Sequence, residues 1–327
     1  MYAPMWKPMR RSHLRCLTRR HLISGAALTL TNCRRPDRKT LAVIPKANAD
    51  LFFLTIHAGA TKAAQDMTIS MIWNGPDHET DYSRQIQIVD SMIARSVDGI
   101  AISATDDKAL IGPLQRAIKA GIPVTIFDSA VNIENYVSLI ATDNYGAGVT
   151  AARSMAALRP EGGRIAMLMQ KPGGTSTELR ERGFAETIAK DYPQLEIVAR
   201  QYGMGDREKS MAIAENILTA HPNLGGVFAS SEACSIGAIR AIRARRLSGA
   251  IKLITFDVSD IHIEALRDGT AHVMMVQDAF RIGYEAVKSL AEKLSGHVPA
   301  RRMDIPARVL VNADLDKPEV RALIKPN

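Results

Sequence analysis

From residue 40 onward, short β-branched runs alternate with longer stretches of helical period. That alternation restricts the chain to folds built on parallel sheets. Strands are predicted at 40–45, 68–73, 99–103, 123–127, 138–142, 164–169, 195–201, 226–230, 252–256 and 271–276. Helices are predicted between them at 52–65, 84–95, 108–120, 145–158, 175–190, 206–220, 233–246, 261–268 and 280–295. The strands are apolar along most of their length, which requires cover on both faces. Ten strands exceed one doubly wound sheet of usual size, so two such sheets, each with its own helices, are expected.

The chain also echoes itself. Asp98-Gly99-Ile100-Ala101-Ile102-Ser103 recurs as Gly225-Gly226-Val227-Phe228-Ala229-Ser230. A helix follows each, then Thr125-Ile126-Phe127-Asp128 in one half and Thr255-Phe256-Asp257 in the other. Each half thus carries a β-α-β unit ending in an aspartate. In open parallel sheets, ligands bind beyond the carboxyl ends of the strands. Asp128 and Asp257 facing each other across a cleft would suit a neutral polyhydroxylated ligand or a cation, because a carboxylate offers about four acceptor sites. Either aspartate could instead cap a helix or sit in a turn.

The net charge of +8 does not signal nucleic-acid binding. Ten of the 42 basic side chains, from Lys7 to Lys39, fall in residues 1–39 against one of the 34 acids, Asp37. The remainder is close to neutral and offers little counterion release to a duplex. Within the basic segment, Arg19-Arg20 precede a short apolar run, Leu22 to Leu30, and then Leu30-Thr31-Asn32-Cys33. A cationic start, a short apolar centre and a cleavage-like end form a secretory pattern. The paired arginines resemble a twin-arginine signal, and Leu30 to Cys33 resembles a lipobox, with Cys33 as the lipid-anchoring candidate. The body is therefore expected in the periplasm or another extracytoplasmic space. Three cysteines, of which Cys234 is read as a small buried hydrophobe, make no disulfide framework.

No catalytic signature is present: no HExxH, CxxC, GxSxG or GxxxxGK[ST]. The letters GxGxxA at Gly146 to Ala151 fall inside a helical period and do not form a dinucleotide fingerprint. His57, His262 and His272 lie in separate elements without ligand spacing, so no metal, cofactor or catalytic residue is expected. Gly173-Gly174-Thr175-Ser176 opens a helix and could bind an anion or simply cap it. Arg180, further along that helix, can reach a cleft edge, whereas Arg182 lies on another face.

The ordered set of motifs resembles the ribose-binding-protein group of type I periplasmic binding proteins. The motifs are Phe52-Phe53, Gly121-Ile122-Pro123-Val124 leading to Phe127-Asp128, Arg180-Glu181-Arg182-Gly183, Leu218-Thr219-Ala220-His221-Pro222, Phe256-Asp257 and Gln277. The resemblance covers about residues 41–311. It implies two Rossmann-like lobes joined by a three-crossover hinge: 40–142 with 278–303, and 143–277 with 304–315. Residues 1–39 are then leader and linker, and 316–327 a C-terminal tail. It implies capture of a pentose, hexose or related polyol by a monomer that closes on its ligand and delivers it to a membrane ABC permease. Handing occupancy to a signalling receptor, or service as a repressor-type ligand domain, are the alternatives. The binding residues it implies are Phe52 and Phe53 as stacking rings, Asp50 in place of the family's asparagine, Asp128, Arg180, Asp257 and Gln277. Ser129, Ser231 and Gly205 stand where the family's ribose binder has an arginine, an asparagine and an aromatic. Those changes imply a roomier pocket short of one cation and a sugar other than ribose, with Glu232 either a replacement acceptor or a helix-capping group.

Overall fold

The computed structural model describes residues 38–48 and 50–324. The export-signal reading and Cys33 lie outside the described residues. β1 (Thr40–Ile44) pairs in parallel with β2 (Ser70–Trp73) and β3 (Gly99–Ile102). β4 (Val124–Phe127), β5 (Leu139–Thr142) and β11 (Arg302–Ile305) extend this sheet in parallel, in the order β11-β5-β4-β3-β1-β2. The second sheet holds β6 (Gly163–Met169), β7 (Leu195–Tyr202), β8 (Leu224–Ala229), β9 (Lys252–Phe256), β10 (Val273–Val276) and β12 (Arg308–Leu310). Its order, β12-β10-β9-β8-β6-β7, repeats the winding of the first, with β12 alone antiparallel. The ten strands expected from apolar runs are all present. β11 and β12 were not expected, because each is a short edge strand carrying Arg302, Asp304 or Arg308 toward solvent and so has no apolar run.

Helices α1 (Leu51–Asp66), α2 (Tyr82–Ala94), α3 (Ile111–Lys119) and α9 (Ala279–Leu294) cover the first sheet. Helices α4 (Asn144–Leu158), α5 (Thr175–Asp191), α6 (Arg207–Ala220), α7 (Glu232–Ala244) and α8 (Asp260–Arg267) cover the second. Each sheet is sandwiched between two apolar clusters, one per face, as continuous apolar strands require. Asp81, Asp143, Asp206 and Asp278 cap α2, α4, α6 and α9 by accepting the backbone N–H three residues on.

The chain passes between sheets three times, and two passages are built alike. β5 ends at Thr142 and Asp143 caps α4; β10 is followed by Gln277 and Asp278 caps α9. The third passage was expected after residue 303. β11 instead keeps pairing with β5 through Ile305, so this passage falls at 306–307, ahead of β12. The segment read as a tail carries α10 (Pro318–Ile324), whose Val320 is buried with Leu315 in the second lobe's core.

Helix pairs α1/α9 and α4/α5 pack backbone to backbone at glycines. A Cβ on Gly283 would stand 2.0 Å from the Ile56 carbonyl oxygen, and one on Gly148 would stand 2.0 Å from that of Arg180. The second contact presses α4 onto the helix that carries Arg180. Gly148→Ala should therefore destabilise the protein by about 1–3 kcal/mol despite its better helix propensity. Gly112→Ala in α3, where the nearest atom is the flexible Arg116 Nη1 at 3.7 Å, should stabilise by about 0.5–1 kcal/mol. Urea denaturation of the two variants checks the opposite signs.

Candidate functional site

The carboxyl ends of β1, β4, β6, β9 and β10 and the starts of α1, α5, α6 and α7 converge on one cavity between the lobes. Asp128 and Asp257 each follow the last residue of their strand, β4 and β9, and both line the cavity. Both adopt left-handed backbone, with φ of 57° and 71°. Such strain in a non-glycine residue is found where a site needs a side chain aimed in one direction. The sequence echo between the halves thus extends to the backbone.

Asp128 Oδ2 receives the Ser103 hydroxyl at 2.8 Å and the Lys46 ammonium at 3.0 Å. Asp257 Oδ1 accepts from Gln277 Nε2 at 2.6 Å, and its Oδ2 accepts the Glu232 backbone N–H at 3.0 Å. Asp257 therefore does both things considered for it: it lines the cavity and holds the start of α7. Gln277 Oε1 accepts from Thr142 Oγ1 at 2.6 Å, which ties the end of β5 in the first lobe to this group in the second.

Arg180 is fully enclosed. Its Nη1 donates to the Ser230 carbonyl at 2.7 Å, its Nη2 and Nε donate to Asn144 Oδ1, and its guanidinium lies 3.6 Å from the Phe256 ring centre. A planar fork with several donors suits such a place better than a lysine. Arg182 lies exposed on the outer face, as its spacing implied. Phe53 is buried, Phe52 is partly exposed, and the rings meet edge to face at 5.1 Å. Ser231 caps α7 and donates to Gln170 Oε1.

Of the residues singled out in the sequence, Asp50, Phe52, Phe53, Asp128, Arg180, Ser231, Asp257 and Gln277 line this cavity. Ser129 does not. The left-handed turn at Asp128 carries the chain away, leaving Ser129 buried with its Oγ unpartnered. The expected shortage of a cation at that place is also overturned, because Lys46 reaches Asp128 from β1. At Gly205 the ring's space is taken by Glu79 and Gln170, whose side chains meet across the lobes at 3.1 Å. Sequence reasoning missed Lys46, Glu79, Gln170, Thr177 and Arg207. Lys46 and Gln170 follow β1 and β6, the matching first strands of the two halves, so polar residues just past apolar strands were the signal available. Glu79 comes from a loop and Arg207 from the first turn of α6, and neither follows an apolar strand.

Burial raises several acids here. Asp50 is pushed up to about 6 by burial and by the charge of Glu79. Glu232 is pushed up to about 7 by burial and by Asp257 and Asp50, although Arg207 pairs with it at 2.7 Å. Glu181 is pushed up to about 7 by burial against two hydrogen bonds, from Ser230 Oγ and the Gln170 N–H. A carboxyl raised by folding favours the native state while it is protonated. Its contribution is complete below the unfolded value, about 4.3, and is lost as pH rises through the folded value. Glu232→Gln, neutral throughout, should therefore gain on the unmodified protein between about pH 5 and about pH 8. The gain is on the order of 2–3 kcal/mol, read by urea denaturation across that range.

A family model described as "Periplasmic binding protein domain" matches residues 41–297. The D-ribose/D-allose-binding protein of Pseudomonas aeruginosa is 27% identical over 85% of this chain and 89% of its own length. The ribose import binding protein of Bacillus subtilis is 29% identical over 79% of this chain and 82% of its own. Among solved structures, a carbohydrate transporter solute-binding protein from Agrobacterium radiobacter, in complex with D-arabinose, superposes with a TM-score of 0.85 at 30% identity. It covers 89% of this chain and 100% of that one. A solute-binding protein from Agrobacterium vitis bound to α-D-tagatopyranose also gives 0.85, at 28% identity over 89% and 100%. Two like-wound lobes, a cavity at their facing strand ends and a family match across most of both lobes agree: this chain belongs to the periplasmic binding protein domain family.

Proposed function

We propose that this protein captures a sugar in the cavity between its lobes and hands it to an ABC-type permease outside the cytoplasm, acting as a monomer and breaking no bond. The observation that carries this is the pair Asp128 and Asp257, one from each lobe, lining one cavity beside the Phe52–Phe53 pair. Carboxylates accept sugar hydroxyls, and rings cover the C–H faces of a pyranose. Asp128 Oδ1 makes no bond to the protein among the described residues, which leaves it for the ligand. Charge-assisted hydrogen bonds contribute about 1.5–3 kcal/mol each, so a few of them, less ordering costs, support dissociation constants on the order of micromolar or tighter. The relatives named above are binding or solute-binding proteins, in keeping with a chain that holds its ligand unchanged.

Capture proceeds by closure about the three passages. Some contacts between the lobes line the cavity, as Glu79 with Gln170 and Lys46 with Ser176 do, and others flank it. Lys171 Nζ donates to the Thr105 carbonyl at 2.5 Å, the Asp107 N–H to the Gly173 carbonyl at 3.2 Å, and Thr175 Oγ1 to the Ala130 carbonyl at 2.9 Å. Lys171 is buried between the lobes, and that desolvation holds its ammonium below the usual lysine range. Opening returns it to water.

Three outcomes test the reading. A thermal-shift panel of pentoses, hexoses and polyols should find at least one that raises Tm by mass action. Against that sugar, Asp128→Asn, which tolerates the left-handed backbone, should weaken affinity about 10- to 100-fold in calorimetry. An unchanged Kd removes Asp128 from the binding role. Lys171→Met should speed release of every bound sugar by a similar factor, about tenfold, and leave their rank order unchanged, in stopped-flow displacement. A change in rank order would place Lys171 in recognition rather than in closure.

A further inference from the structure

We infer that the preferred ligand is a sugar or polyol bearing a basic amine, with its ammonium seated between Asp50 and Glu232. This rests on the sugar reading above and narrows it. The cavity wall carries five carboxyl groups, on Asp50, Glu79, Asp128, Glu232 and Asp257, against the cations of Lys46, Arg180 and Arg207. All three cations are engaged within the protein. Lys46 lies 3.0 Å from Asp128 and 3.9 Å from Glu79, and Arg207 lies 2.7 Å from Glu232 Oε1. Arg180 spends its donors on Asn144, Ser230 and Gln277 and its face on Phe256.

The acids are not equally engaged. Asp128, Glu79 and Asp257 each accept from protein donors. Glu232 is only 7% exposed, yet its Oε2 is buried without a partner. Asp50 stands at the N-cap of α1, but its carboxylate accepts no cap bond and no other hydrogen bond among the described residues. Two acceptors with nothing to accept, one from each lobe, are thus left at the cavity. An unpaired buried charge is far more costly than a paired one. A hydroxyl donates one hydrogen bond and brings no charge, whereas an ammonium donates three and brings the missing positive charge. Burial raises the proton affinity of both groups, and the neighbouring acids add to it. Asp50 stands where the resemblance places an asparagine, whose amide could donate; an ionised carboxylate can only accept.

The test is titration calorimetry on the full-length protein at neutral pH. The amines are glucosamine, galactosamine and glucamine. The neutral counterparts are glucose, galactose and sorbitol, and N-acetylglucosamine keeps the nitrogen without its charge. At least one amine should bind about tenfold or more tightly than its neutral counterpart. Its affinity should fall as salt rises, while the neutral sugar's does not. Glu232→Gln and Asp50→Asn should each erase the preference, read as the ratio of amine to neutral-sugar affinity in the same variant. If neutral sugars bind as well as every amine, or if the preference survives both substitutions, the inference is overturned and the sugar reading stands. If neither amines nor neutral sugars bind, the sugar reading itself falls, and this inference with it.

Discussion

Arg180 is a charge placed where water does not reach, and its neighbours are arranged around that fact. A buried guanidinium must have its donors met. Asn144, just past the first passage between lobes, supplies one acceptor, and Gln277, at the second passage, supplies another. Gln277 is fixed in turn by Thr142 and by Asp257, so one network joins two passages to an acid of the cavity. The α4/α5 glycine contact seats the helix that carries Arg180 at this depth. Cavity geometry and interlobe connection are therefore parts of one structure, and a ligand that disturbs Asp257 acts directly on the groups where the chain crosses.

The two lobes repeat one another in winding, in backbone-close helix pairs and in the left-handed aspartate after the fourth strand of each. They differ in what meets those acids. Asp128 faces an ammonium, which keeps its charge compensated. Asp257 faces an amide and a backbone N–H and is raised by burial despite Arg180. The same position thus holds an acceptor paired with an ammonium in one lobe and one paired with an amide and a backbone N–H in the other.

Contacts at the cavity wall and contacts beside it join the lobes through different groups. The strand ends supply the first, and the loops at Thr105–Asp107, Ala130 and Lys171–Thr175 supply the second. Backbone carbonyls receive the bonds that lie beside the cavity.

The periodicity of the chain determined the elements. Runs such as Ile100 to Ile102 or Val124 to Phe127 form covered parallel strands because nothing else buries so many consecutive apolar residues. The placement of Asp128 and Asp257 at strand ends was legible for the same reason. The edge strands β11 and β12 were not legible, since a strand bonded on one side needs no apolar run. Nor was the place of Ser129, which one left-handed residue decides. The partners inside the cavity came only from tertiary structure. Lys46 meets Asp128, Glu79 meets Gln170 and Arg207 meets Glu232 across 82, 91 and 25 positions of chain. No local spacing records such pairs, because their distances are set by the way two sheets and three passages bring the strand ends together.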